Sequence, residues 1–173
     1  MSWAHIHLAL NHVPVIGLPI AVALLAWAMI RRSAELTRAS FVLLLVLASL
    51  TLVVQLTGEP AEDLVEGLPG VLDSMVERHE EAALIGTIGM AVLGLLALFG
   101  WWWSRAERRL ARWYPAVMLV IGVLVTGYMG WVANLGGQIR HSEIRPGQAA
   151  ASGAVVERPY RQHQAGQRGG DSD

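Results

Sequence analysis

Cysteine and lysine are both absent from this chain of 173 residues. Without cysteine, the chain cannot form disulfides, thiolate-bound iron–sulfur clusters, covalently attached c-type heme or thiolate zinc sites. Charge is also sparse, because only 16% of the residues are charged whereas 54% are of hydrophobic type. A soluble domain of this length carries more charge and less apolar sequence. The composition therefore predicts an integral membrane protein.

The short motifs of several enzyme classes are missing as well. The sequence has no Gly-x-Ser-x-Gly elbow and no phosphate-binding loop, which argues against hydrolase chemistry. It contains neither a Glu-x-x-His pair nor a His-Glu-x-x-His motif, which argues against ferritin-like di-iron and zincin sites. The apolar composition and an acidic loop, described below, also exclude nucleic acid as a partner.

Apolar residues come instead in four long blocks, at about 6–30, 39–56, 82–103 and 114–135. Each block is close to the roughly 20 residues that a helix needs to cross the hydrocarbon core of a bilayer. Lipid offers no hydrogen bonds to a backbone, so helices are the open structures that can cross it. The sequence thus predicts an all-α integral membrane four-helix bundle over residues 1–145, followed by a disordered polar tail over 146–173.

Arginine is concentrated in two of the three connections between these blocks. The connections that follow the first and third blocks hold Arg31, Arg32, Arg38, Arg105, Arg108, Arg109 and Arg112. The connection between the second and third blocks holds Arg78 alone. By the positive-inside rule, the two arginine-rich loops are cytoplasmic, and both termini are extracytoplasmic.

The connection at 57–81 is acidic and is predicted to be a short helical extracytoplasmic segment. Gly58-Glu59-Pro60 should end the second helix, because proline disfavours helix in the residue before it. Pro60 suits the first turn of a new short helix. After a second break near Pro69, a helix from about Val71 is expected to run straight into the third block.

The last apolar block ends in a face of small and polar residues. Gly130, Asn134, Gly137 and His141 step by four, three and four residues, which places them on one side of a helix. Such a face can approach another helix or a flat ligand closely, and packing against a helix is the more ordinary of these two roles. His12, expected to be buried in the first helix, and His79, on an apolar face of the third, are predicted at the same depth as His141.

Four stretches carry a resemblance to a known family. These are the segments 7–17, with His-Leu-Ala-Leu-Asn-His-Val-Pro-Val-Ile-Gly, 57–62, with Thr-Gly-Glu-Pro-Ala-Glu, 78–82, with Arg-His-Glu-Glu-Ala, and 136–141, with Gly-Gly-Gln-Ile-Arg-His. They resemble a family of bacterial four-helix membrane proteins of unknown function. The resemblance covers most of the chain except the tail, and it implies a four-helix fold in the bacterial cytoplasmic (inner) membrane. It brings no activity and no ligands, so the chemistry has to be argued from the residues.

The first hypothesis is a heme b-binding electron-transfer protein, because histidines on separate helices at one depth are similar to the ligands of b-type cytochromes. The predicted ligands are His12, His79 and His141, with His7 in reserve. Residues expected to orient the rings or to pair with heme propionates are Asn11, Gln55, Asn134, Arg140 and Arg145. The cytoplasmic half has no histidine, so electrons would pass only on the extracytoplasmic side. Expected partners are a quinol, a periplasmic cytochrome or a larger respiratory complex.

Two alternatives stay open. Histidine and a carboxylate such as Glu62 also suit zinc, copper or iron in a non-heme site. In the third reading, the protein is a cofactor-free structural or assembly subunit whose glycines pack helices and whose histidines sit at the wet interface. His5 and His163 are assigned to that role outright. Whether the protein is an enzyme is left open by the sequence.

Overall fold

The structure, a computed structural model, describes residues 3–62, 71–105 and 110–140. Four helices make up this part of the chain: α1 (Trp3–Arg31), α2 (Ala34–Glu62), α3 (Asp73–Arg105) and α4 (Trp113–Arg140). Each is long and apolar enough to cross a membrane. The predicted all-α fold of four membrane-spanning helices is therefore confirmed. The 146–173 tail and His141 lie outside the described residues, as do residues 63–70 of the acidic segment.

The helices are longer than the apolar blocks from which they were predicted. They contain 29, 29, 33 and 28 residues. At 1.5 Å per residue each measures about 42–50 Å, which exceeds the roughly 30 Å of hydrocarbon in a bilayer. One or more turns of each helix therefore extend beyond the hydrocarbon core into the polar interfaces, where side chains are accessible to water.

A tight turn joins α1 to α2. The amide of Arg32 donates to the carbonyl of Met29 (3.2 Å) and the amide of Ser33 to that of Ala28 (3.0 Å). These two bonds form a Schellman motif, in which the residue after the helix takes a left-handed conformation. Arg32 does so, with a φ of 51°. The Ser33 hydroxyl then accepts from the amide of Leu36 and begins α2 as its N-cap.

The expected end of α2 at Gly58-Glu59-Pro60 is corrected by the structure, since α2 continues through Pro60 to Glu62. Proline removes one i→i−4 hydrogen bond, the one to Leu56, and the described helix extends two residues beyond Pro60. The helix expected from about Val71 is present and begins at Asp73.

The four helices pack in a ring, so that α1 contacts α2 and α4, and α3 contacts α2 and α4. α1 and α3 thus face each other across the diagonal of the bundle. Because successive helices run antiparallel, the start of α1 and the end of α4 meet at one end of the bundle, here named the histidine end. The opposite end, where α1 and α3 finish and α2 and α4 begin, is named the arginine end.

Each helix pair contains a glycine that packs closely against its neighbour. A Cβ atom added to it would come within 2.5–2.9 Å of a side chain on the neighbouring helix. The pairs are Gly17 with Leu47 (α1–α2), Gly94 with Ala48 (α2–α3), Gly86 with Met129 (α3–α4) and Gly122 with Val22 (α4–α1). Small residues at helix contacts let backbones approach closely in membranes, where packing replaces the hydrophobic effect as the main attraction between helices.

The tightest of these contacts generates a prediction. A Cβ at Gly94 would lie 2.5 Å from the Cβ of Ala48, so Gly94→Ala should force α2 and α3 apart. Overpacking costs about 1–3 kcal/mol, which exceeds the gain of about 1 kcal/mol in helix propensity. We expect a lower melting temperature of the helices in detergent, followed by circular dichroism.

Two further variants make this test specific. Gly127→Ala is the matched control, because a Cβ there meets nothing within 4 Å, and its melting temperature should not fall. Ala48→Gly in the Gly94→Ala background removes the facing methyl group and should restore stability. Equal melting temperatures of Gly94→Ala and Gly127→Ala would contradict the contact between α2 and α3.

Candidate functional site

His7 lies on the inward face of α1. Stepping along the helix by seven, four, three and four residues from His7 reaches Pro14, Leu18, Ala21 and Leu25, all of which are buried. The same face therefore carries the apolar core in the middle of the bundle and an imidazole at the histidine end. α1 runs without interruption through Pro14 and Pro19.

The neighbouring helix α2 holds the His7 ring by a hydrogen bond. Nδ1 of His7 lies 3.2 Å from Oγ1 of Thr57. Thr57 is buried, and its hydroxyl also donates to the carbonyl of Val54 at 2.8 Å. The adjacent Gly58 leaves room beside the ring, because a Cβ there would be 3.7 Å from Cε1 of His7.

His79 occupies the corresponding place on α3, two turns from the start of that helix. Its ring lies against α4 at Gly136, where a Cβ would be 3.0 Å from Cε1 of His79. The main chain of Val132 lies beside the same ring. Nδ1 of His79 is buried and has no hydrogen-bond partner. A buried imidazole nitrogen without a partner is costly, so its presence requires an explanation.

The two imidazoles lie at the same end of the bundle although their helices are diagonal. They are close enough to interact electrostatically. Each ring is flanked by a glycine of an intervening helix, Gly58 of α2 for His7 and Gly136 of α4 for His79. The histidine end of the bundle thus contains a pair of imidazoles contributed by opposite helices, with all four helices taking part in their surroundings.

His12 is placed elsewhere. It follows His7 by five residues, which turns it by about 140° around an ideal helix, and it is exposed on the surface of α1. Its Nδ1 bonds to the carbonyl of Leu8 in its own helix at 2.7 Å. The expectation that His12 is buried in the first helix is therefore corrected, and the structure brings His7 rather than His12 to His79. His5 is exposed, as expected.

The structure also corrects the prediction that the face carrying Gly130, Asn134 and Gly137 approaches another helix closely. Gly130 is exposed and a Cβ there would meet nothing within 4 Å. α4 instead packs through Met129, Val132, Leu135 and Gln138, which are buried. In lipid an outward face can be as apolar as an inward one, and the small residues at 130 and 137 alone did not identify which side faces inward.

The residues expected to orient the rings are more widely spread. Gln55 accepts a hydrogen bond from Thr87 of α3 at 2.9 Å, which ties α2 to α3. Asn134 is exposed and accepts a bond from Gln138 at 2.6 Å. Asn11 is half-buried on α1. The side chains of Arg140 and Glu62, together with His141 and Arg145, lie outside the described part of the chain.

Two residues of the site were missed in the sequence. Thr57 is buried although it lies six residues after Thr51, about 120° away around an ideal helix, so the periodicity of α2 does not mark it as inward-facing. Gly136 directly precedes Gly137, the residue that the spacing of Gly130, Asn134, Gly137 and His141 selected instead. For Thr57, the helical period carried through Pro60 reaches Gln55 and Gly58 instead.

Metal-ligating groups are otherwise dispersed. Within residues 3–62, 71–105 and 110–140, no three side chains of histidine, aspartate or glutamate come together in a way that could hold a metal ion. The described part of the site therefore offers two imidazoles and no third ligand.

Residues 4–143 match the family model described as "Predicted membrane protein (DUF2231)". The chain belongs to this family. The match includes all four helices, so the chain is a multi-pass membrane protein with a lipid bilayer as its environment. The DUF2231 description states no activity, and no curated protein or solved structure matches the chain.

The contact between Gly136 and His79 generates a second prediction. In Gly136→Ala the new methyl group would press on the ring at 3.0 Å, so His79 must shift by a few tenths of an ångström. Protein labelled with ¹³C-histidine in micelles should then show a displaced His79 ring signal in the ¹H–¹³C spectrum. Gly130→Ala on the same helix is the control and should leave that signal in place. An unmoved His79 signal in Gly136→Ala would refute the packing of His79 against α4.

Proposed function

We propose that this DUF2231 protein binds heme b between His7 and His79 and transfers electrons at the extracytoplasmic side of the bacterial cytoplasmic membrane. The observation that supports it is the pair of imidazoles from opposite helices, of which His79 has a buried nitrogen without a partner. Bundles of helices hold heme in this manner, with axial ligands projecting inward from facing helices.

The number of ligands favours heme over a bare metal ion. A heme brings four equatorial nitrogens, so two imidazoles complete its coordination. Zinc in proteins takes three or four protein ligands, and non-heme iron commonly takes three. The described residues supply two such groups at the histidine end and no third. The zinc, copper or iron alternative therefore has less support than heme in this part of the chain.

Each of the two rings packs against a glycine of a neighbouring helix. Gly58 and Gly136 carry no side chain toward His7 and His79, so helix backbone borders the rings directly. Below them the bundle is closed by apolar side chains such as Leu18 and Met90. A bound heme would supply a reversible one-electron carrier, and the chain would supply its ligands, its orientation and its separation from water.

The proposed side of the membrane follows from arginine. The helix ends away from the histidines carry Arg31 and Arg105, and the connections there are rich in arginine. With that end in the cytoplasm, the histidine end faces the extracytoplasmic space. The described part of the bundle has no histidine at the arginine end, so a second heme of the same kind has no ligands there. The exchange partners we propose are a quinol or larger respiratory complex as donor and a periplasmic cytochrome as acceptor.

The decisive experiment is the absorption spectrum of protein purified from cells supplied with a heme precursor. Wild type should show a Soret band and the low-spin spectrum of two histidine ligands, with one heme per chain by pyridine hemochrome assay. His7→Ala and His79→Ala should each lose the low-spin spectrum and bind heme at least 10-fold more weakly, whereas His5→Ala should match wild type.

Other outcomes separate the competing hypotheses. Loss of the spectrum in His12→Ala or His141→Ala, with His7→Ala intact, would place the ligands as the sequence alone suggested. A colourless wild type with stoichiometric zinc, copper or iron by elemental analysis would overturn the heme proposal in favour of a non-heme site. A colourless protein without metal would leave the structural or assembly role.

The orientation is tested separately with reporters fused after the end of α4. Alkaline phosphatase folds only outside the cytoplasm because it needs disulfides, so a C-terminal fusion should be active. A fusion within the short turn at Arg32 and Ser33 should be inactive. The reverse pattern would put the histidine end in the cytoplasm and would contradict the proposed partners.

A further inference from the structure

The hydrogen bonds around Thr57 determine where the proton of His7 lies. A carbonyl oxygen can only accept, so the proton between the Thr57 hydroxyl and the carbonyl of Val54, 2.8 Å apart, belongs to Thr57. A threonine hydroxyl has a single proton. The contact of 3.2 Å between Thr57 Oγ1 and His7 Nδ1 therefore uses a proton carried by the imidazole, whose ring also bonds to the main chain of Val54.

From this geometry we propose that Thr57 is a positioning residue that holds neutral His7 as its Nδ1–H tautomer and so leaves the Nε2 lone pair free to bind a ligand. The inference rests on the proposed heme site for its role, although the tautomer itself can be observed without heme. Histidines that bind metals almost always donate the other ring N–H to an oxygen, which fixes the ring and strengthens its nitrogen as a ligand.

The two imidazoles are not equivalent in this respect. His7 has a buried oxygen acceptor at its Nδ1, whereas Nδ1 of His79 has no partner. A hydrogen bond from the ring makes the opposite nitrogen more basic, which favours the oxidised state of a bound metal. The hydrogen bond to Thr57 thus strengthens Nε2 of His7 as a ligand.

The chain offers a close control for this residue. Thr51 is on the same helix and is buried, and its hydroxyl donates to the carbonyl of Leu47 at 2.9 Å. It therefore reproduces the bond of Thr57 to its own helix, without the contact with histidine. Thr57→Val and Thr51→Val remove the same hydroxyl from equivalent settings, and only the first should affect His7.

The first measurement uses the full-length protein without heme, labelled with ¹⁵N-histidine in micelles at a pH of about 8.5, where an ordinary imidazole is neutral. His7, assigned by its loss in His7→Gln, should show the nitrogen shifts of the Nδ1–H form. Thr57→Val should move these shifts toward the Nε2–H form or a mixture, Thr57→Ser should restore them, and Thr51→Val should leave them unchanged. An Nε2–H form in wild type, or identical shifts in Thr57→Val, would overturn the inference.

The second measurement uses the heme-loaded protein. Thr57→Val should weaken heme binding by about 10- to 100-fold, as for other residues that orient a metal ligand, and it should shift the reduction potential to a more positive value. Thr57→Ser should reverse both changes. A Soret band with unchanged affinity and potential in Thr57→Val would refute the role of Thr57 while leaving the heme proposal intact. A wild type that binds no heme would refute the heme proposal. The tautomer of His7 would then be decided by the first measurement alone.

Discussion

The bundle depends on how closely its helices approach one another. Lipid tails are as apolar as leucine, so burial from water does little to hold membrane helices together, and dispersion between well-fitted surfaces must do it. Each of the four helix pairs meets at a glycine whose missing side chain is filled by its neighbour. These contacts fix the spacing of the ring of helices. The spacing in turn decides whether imidazoles on the diagonal helices α1 and α3 can reach each other.

A second constraint makes the histidine pair informative. Several hydroxyl groups within the apolar spans donate to carbonyls one turn earlier in their own helices, as Ser40, Thr51 and Thr126 show, and Thr87 donates to Gln55 of α2. Among the buried polar side-chain atoms of the described residues, Nδ1 of His79 alone has no hydrogen-bond partner. The exception lies beside the other inward-facing histidine, at the end of the bundle where the chain also brings a buried threonine.

The sequence predicted the fold better than the site, and the reason is physical. Hydrophobic length reports on the membrane, so the number of the helices could be read from it, whereas the orientation read from arginine stays a prediction. Which side of a helix faces inward could not, because lipid-facing residues are as apolar as core residues. His12 was therefore preferred to His7, and the outward Gly130 was preferred to Gly136. Thr57 was missed because it lies about 120° around α2 from the buried Thr51, outside the simple helical period.

The unpartnered nitrogen also bears on the choice between a heme site and a purely structural subunit. Leaving a buried polar group without a hydrogen bond costs about 1–3 kcal/mol, and an alanine or leucine at the position of His79 would avoid that cost. A subunit that only packs against others gains nothing from such a residue. A subunit that binds iron there converts the unfavourable nitrogen into a ligand, and the opposing His7, already oriented by Thr57, supplies the other. The same atoms that weaken the empty bundle would stabilise the loaded one, so under the proposed function folding and cofactor binding would be coupled at the histidine end.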